Sequence, residues 1–146
     1  MSGPDHRGGK SLARFPVHLG RGGSAFAQGE FTGMAFYAEY EARTAGEGPD
    51  GRLVSLHRFS APWDSWEMHP SGDELVVCTA GGLVLIQDIG GEECSLTLLP
   101  GDYAINPAGT WHTADLALGS TEATALFITA GLGTRHRERR SGVPRS

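Results

Sequence analysis

With 146 residues, 20% of them charged and 39% hydrophobic, the chain has the size and balance of one ordinary globular domain. No apolar run approaches the ~18 residues of a membrane helix, and the opening MSGPDHRGGK lacks the apolar segment of a secretory signal. The formal net charge of −5 is uneven: residues 135–146 carry five arginines and one acid, residues 1–21 four bases and one acid, and the body between holds the acidic excess. Such a body repels a phosphate backbone, so neither nucleic acid nor membrane is an expected partner.

In chain order, the first patterned stretch is FTGMAFYAEYEA (31–42), whose alternation predicts a strand. It would place Met34, Phe36, Ala38 and Tyr40 on one face and Tyr37, Glu39 and Glu41 on the other. Further strands are predicted at 52–59, 63–69, 73–80, 82–89, 94–99, 102–106, 110–116 and 122–130, each rich in Val, Leu, Ile, Thr or aromatic residues. Turn signals separate them, among them EGPDG, PSGD, PGD and NPAG. No stretch from 30 to 130 shows a helical period over three turns. Short strands with glycine-rich turns and no helices predict an all-β, single-domain sandwich or barrel. The expected division is a flexible segment over 1–22, the barrel over 23–134 and a basic, solvated tail over 135–146. Cys78 and Cys94, each in a strand-like run, cannot build a disulfide scaffold and are expected to be reduced thiols in a cytoplasmic protein.

One stretch stands out. WEMHPSGDE (66–74) gathers Glu67, His69, Asp73 and Glu74 in nine positions. On a strand, Glu67 and His69 share one face and Trp66 and Met68 the other. PSGD then turns the chain, so Glu74 opens the next strand near His69. Far along the chain, NPAG is a tight turn that delivers His112 at the start of another strand. Two imidazoles and two carboxylates converging inside a barrel suit a divalent transition metal. His6, His18, His57 and His136 read as ordinary residues; Arg58, beside the motif strand, could bind an anionic substrate if it points inward, though a surface charge is the commoner fate of an arginine. Trp66 and Trp111 neighbour Glu67 and His112 on the opposite strand face, so they point out of the cavity and need cover from a terminal segment or a partner.

The spacing of these residues resembles the two cupin motifs, G-x5-H-x-H-x3/4-E-x6-G and G-x5-P-x-G-x2-H-x3-N. His69 matches the second histidine of the first motif, followed at the right intervals by Glu74 and Gly81. Gly101, Pro107, Gly109 and His112 match the second. Glu67 stands at the first histidine, Ala61 at the leading glycine and Leu116 at the final asparagine. The resemblance implies a cupin jelly roll, often homodimeric, with a metal set of Glu67, His69, Glu74 and His112. Two carboxylates would favour Fe, Mn or Zn over softer ions. The function implied is that of a metal-dependent enzyme acting on a small polar molecule, by oxygenase or isomerase and lyase chemistry. The other reading is a non-catalytic, even metal-free, cupin that binds a sugar or small effector. No separate general base is legible, and Glu67 could serve as one if it does not ligate. If both histidines ligate, metal should leave as they protonate, near ~6.5 or lower. The aromatic content of 31–42 with Trp63, Trp66 and Trp111 predicts a homodimer.

Overall fold

The computed structural model describes residues 8–140. Its strands are β1 (Val17–Leu19), β2 (Ala25–Ala27), β3 (Arg52–Phe59), β4 (Ser65–Met68), β5 (Glu74–Gly81), β6 (Leu83–Ile89), β7 (Glu92–Leu98), β8 (Tyr103–Asn106), β9 (His112–Leu116), β10 (Ala123–Thr129) and β11 (Arg135–Glu138), with one α-helix, α1 (Ala35–Thr44). All strand pairs are antiparallel. They form a six-stranded sheet, β2-β1-β3-β10-β5-β8, and a five-stranded one, β11-β4-β9-β6-β7. Eight of these strands, β3 to β10, divide as β3-β10-β5-β8 against β4-β9-β6-β7, which is the double Greek key of a jelly roll. The all-β jelly roll expected from the sequence is the observed architecture, and β3 to β10 fall within a few residues of the predicted strands.

Alternation builds the core. Inward residues of both sheets, Val76, Cys78, Leu83, Leu85, Leu98, Ala104, Ala125 and Phe127, pack as one cluster, with Phe59, Trp63 and Leu116 against it. Where β5 meets β10 the chain needs a residue without a side chain. Gly81 has φ +68, and a Cβ there would lie 2.1 Å from the Glu122 carbonyl oxygen. Cys78 is buried and Cys94 exposed, and both are free thiols. Among the described residues, no helix is long and apolar enough to cross a membrane.

The stretch 31–42 departs from expectation. Residues 35–44 form α1. Phe36 and Tyr40 are four apart, a spacing that shares a face at a period of two and at 3.6 alike. The alternation was therefore ambiguous: the Ala, Glu and Arg of the stretch permit a helix, and the tertiary partners of its aromatics select it. Phe36 and Tyr40 pack on Leu53, with Phe31 and Tyr37 beside them. Buried His18 pins the helix: Nδ1 lies 2.6 Å from the Tyr40 hydroxyl and Nε2 2.9 Å from Glu47.

Two stretches expected to lie in loose termini are strands. β1 pairs with β2 and β3, and β11 pairs with β4. A basic strand is held here by its cations. The Arg137 guanidinium sits 5.0 Å from the Trp66 ring and 4.7 Å from Trp111, and bonds Asp88 at 3.0 Å. Arg139 pairs with Asp115 at 2.8 Å. The outward tryptophans are thus covered by the chain's own C-terminal strand, and Trp66 is only 8% exposed.

A different apolar surface is open. Across the outer face of the six-stranded sheet, paired residues make two rows: Val54–Ile128–Leu75–Ile105 and Leu56–Leu126–Val77–Tyr103. Tyr103 is 65% exposed and Ile105 51%.

Candidate metal centre

Neighbouring strands bring the four expected residues together. Glu67 on β4 stands opposite His112 on β9, and Glu74 on β5 stands between Asn106 on β8 and Thr129 on β10. His69 follows β4 directly, before the turn into β5. The two motif segments are clasped by backbone. Gly109 N–H donates to the His69 carbonyl at 3.0 Å, and Ala108 N–H to Asp73 Oδ1 at 2.8 Å. Gly109, at φ +80, lets the 107–110 turn close against that hairpin.

The functional atoms converge. Glu74 Oε2 lies 3.2 Å from His69 Nε2, and Oε1 3.2 Å from His112 Nε2. Glu67 Oε1 lies 3.9 Å from His69 Nε2 and 3.8 Å from His112 Nε2. Ligand atoms of Glu67, His69 and His112 all lie within 4.8 Å of one another. Two ligands each about 2.1 Å from one ion stand about 3.0–4.2 Å apart, so the four carboxylate–imidazole separations fit a shared divalent cation.

Second contacts set the tautomers. The Thr134 hydroxyl donates to the Gly131 carbonyl, so it accepts from His69 Nδ1–H at 2.8 Å. His112 Nδ1–H points to the Thr110 carbonyl at 3.3 Å. Each ring therefore presents Nε2 inward as the metal-binding nitrogen. Those two Nε2 atoms are the buried side-chain polar atoms that lack a hydrogen-bond partner among the described residues. Buried acceptors facing carboxylate oxygens require a cation or a proton between them. Glu74 is oriented in turn: Asn106 Nδ2 donates to Oε1 at 2.9 Å, Thr129 to Oε2, and Gln87 fixes Asn106 by donating to its Oδ1 at 2.8 Å. This residue set fits a divalent ion.

Electrostatics agree. Burial opposes charge on His112, but the Glu67 and Glu74 carboxylates outweigh it and raise the imidazole to about 9. Burial likewise opposes charge on Glu74 and Glu67, yet the two histidines hold both carboxyls below their ordinary range.

The structure adds three residues near the site that sequence reasoning passed over. Helix α1 carries Tyr37, whose hydroxyl lies 3.2 Å from His57 Nε2. Burial, with the negative charges of Glu67 and Glu74, pushes that phenol up to about 12, keeping it a hydrogen-bond donor at neutral pH. His57 is pushed down by burial. The strand reading of 31–42 concealed Tyr37, and only its helical placement was a signal. His136 on β11 lies 3.3 Å from Glu67 Oε2. Arg58, by contrast, is a surface charge paired with Glu122 at 3.8 Å. His6 lies outside the described residues.

Neither a protein-family model nor a curated protein matches the chain. Among solved structures, it is similar to a cupin-2 domain containing protein from Shewanella frigidimarina at 19% identity, over 53% of this chain and 69% of that one, with a TM-score of 0.45. A cupin superfamily protein from Desulfitobacterium hafniense is 23% identical over 53% and 65%, with a TM-score of 0.44. The hydroquinone 1,2-dioxygenase of Sphingomonas sp. TTNP3, solved with 4-hydroxybenzoate bound, is 15% identical over 53% and 59%, with a TM-score of 0.44.

Proposed function

We propose that this chain is a cupin that holds one divalent metal, Fe, Mn or Zn, through Glu67, His69, Glu74 and His112 and acts with it on a small polar molecule. The observation that carries this reading is the pair of buried, unpartnered Nε2 atoms facing two carboxylates. An ion bound there supplies a Lewis acid for oxygenase or isomerase and lyase chemistry. Within the field of the same carboxylates, Tyr37 carries a protonated hydroxyl that is hydrogen-bonded with His57.

Elemental analysis of untagged wild type, Glu67→Gln and Glu67→His tests the assignment. About one metal per chain is expected in the wild type and in Glu67→His, which exchanges one ligand type for another. Glu67→Gln should hold much less. A Glu67→Gln variant that keeps its metal and loses turnover would instead make Glu67 the general base. A wild type that holds no ion after growth and dialysis with Fe, Mn and Zn would remove the proposal.

The proposal includes a homodimer, on grounds other than those read from the sequence, since the tryptophans are covered from within the chain. The outer rows ending in Ile105 and Tyr103 span four strands, a width of about 14–19 Å at ~4.8 Å per strand. Open apolar surface of this kind marks an interface, and two copies of one sheet face satisfy the same patch by two-fold symmetry. Light scattering at micromolar concentration should give twice the chain mass for wild type and the chain mass for Tyr103→Glu/Ile105→Lys. A wild-type monomer would refute it.

A further inference from the structure

We infer that His136, on the C-terminal strand, is a positioning residue of the metal centre, acting through Glu67. This rests on the metal-centre reading above. β11 pairs with β4 so that His136 stands opposite Glu67, and side chains at paired positions project from the same sheet face. His136 Nε2 lies 3.3 Å from Glu67 Oε2, while Glu67 Oε1 faces His69 and His112 at 3.9 and 3.8 Å. An ionised carboxylate only accepts hydrogen bonds, so His136 Nε2 carries the proton and donates it. A protonated nitrogen ligates nothing. His136 therefore serves the site by holding one oxygen of Glu67 outward and turning the other inward.

Glu67 needs this more than its companions do. Glu74 is buried and receives Asn106 and Thr129, and each histidine ring has its own Nδ1 acceptor. The Glu67 side chain is 30% exposed, and His136 supplies its hydrogen bond from the strand that the sequence would dismiss as a basic tail. The strand itself is secured elsewhere. Arg137 lies against Trp66 and Trp111 and bonds Asp88, and Arg139 bonds Asp115 and the carbonyls of Trp63 and Ala114. Removing the His136 imidazole, which is 45% exposed, should leave β11 in place.

The test is titration of the chelator-stripped full chain with Zn(II) alone. His136→Ala should bind Zn(II) about 10–100-fold more weakly than wild type, the usual cost of losing such a partner. His136→Gln, whose side-chain amide also donates, should recover most of the loss. In a Glu67→Ala background, His136→Ala should change nothing, a result that mere structural damage would not give. The stripped His136→Ala protein should melt within about 2 °C of wild type. Wild type binding Zn(II) with His136→Ala binding equally well would overturn the inference and leave the centre standing. The same loss in the Glu67→Ala background would overturn it too, because His136 would then act independently of Glu67. A wild type that takes up no Zn(II), Mn(II) or Fe(II) would overturn the metal-centre reading and this inference with it.

Discussion

Glu74→Gln is expected to abolish metal uptake and to destabilise the metal-free protein by about 3 kcal/mol at neutral pH. Glu74 is 3% exposed and lies 3.2 Å from both His69 Nε2 and His112 Nε2. A glutamine keeps the shape but removes the charge that both imidazoles face. Its amide NH2 would also meet one of two donors, Asn106 Nδ2 or the Thr129 hydroxyl, leaving a buried donor facing a donor. For a chain of this size such a loss lowers the melting temperature by about 6–12 °C. Calorimetry of stripped wild type and variant, beside elemental analysis, reads both effects. A variant that melts like wild type and keeps its metal would show that Glu74 is not the central anion of the site.

The metal-free protein is expected to lose stability as pH rises from about 6.5 to about 9. His112 has its folded value raised from 6.5 to about 9, so its protonation stabilises fully below 6.5 and ceases to do so as pH passes 9. Glu67 and Glu74 are shifted the other way. Their contribution is present above 4.5 and is lost as pH falls through their lowered folded values. Stripped protein should therefore melt highest between about pH 4.5 and 6.5, and the loaded protein should stay level through pH 9, since the ion takes the proton's place. Metal binding at pH 7 should expel one proton, so affinity should climb about tenfold per pH unit toward pH 9. Proton competition thus sets in well above the ~6.5 expected for unperturbed imidazoles. Melting curves across that range, with and without metal, check the sign. A stripped protein whose melting point is flat from pH 6.5 to 9 would place His112 outside the field of the two carboxylates.

Much of the fold was legible because most strands here bury one face, and a period of two has one meaning there. β3, Arg52–Phe59, matches its predicted span. Glu67, His69 and Glu74 were legible as neighbours because a hairpin is local, with strand period and turn placing all three. His112 needed the spacing of Gly101, Pro107 and Gly109, and with it came the cupin resemblance.

The sequence by itself determined the strand alternation, the hairpin that aims three ligand-type side chains at one point, and the turn that presents the fourth. These depend on nearest neighbours and on backbone limits at proline and glycine, which operate within a few residues. Only the tertiary structure decided the rest. Residues 35–44 are helical because Phe36 and Tyr40 find Leu53 and His18, partners whose positions no local pattern encodes. The arginine-rich tail is a strand because its cations find Trp66, Trp111, Asp88 and Asp115. Hydropathy scores such a segment as solvent-loving, whereas an arginine between two tryptophans is partly shielded from water. His136 beside Glu67 and Tyr37 near both carboxylates follow from those two placements. Each is a contact across a long loop of chain, whose closure only the finished core sustains.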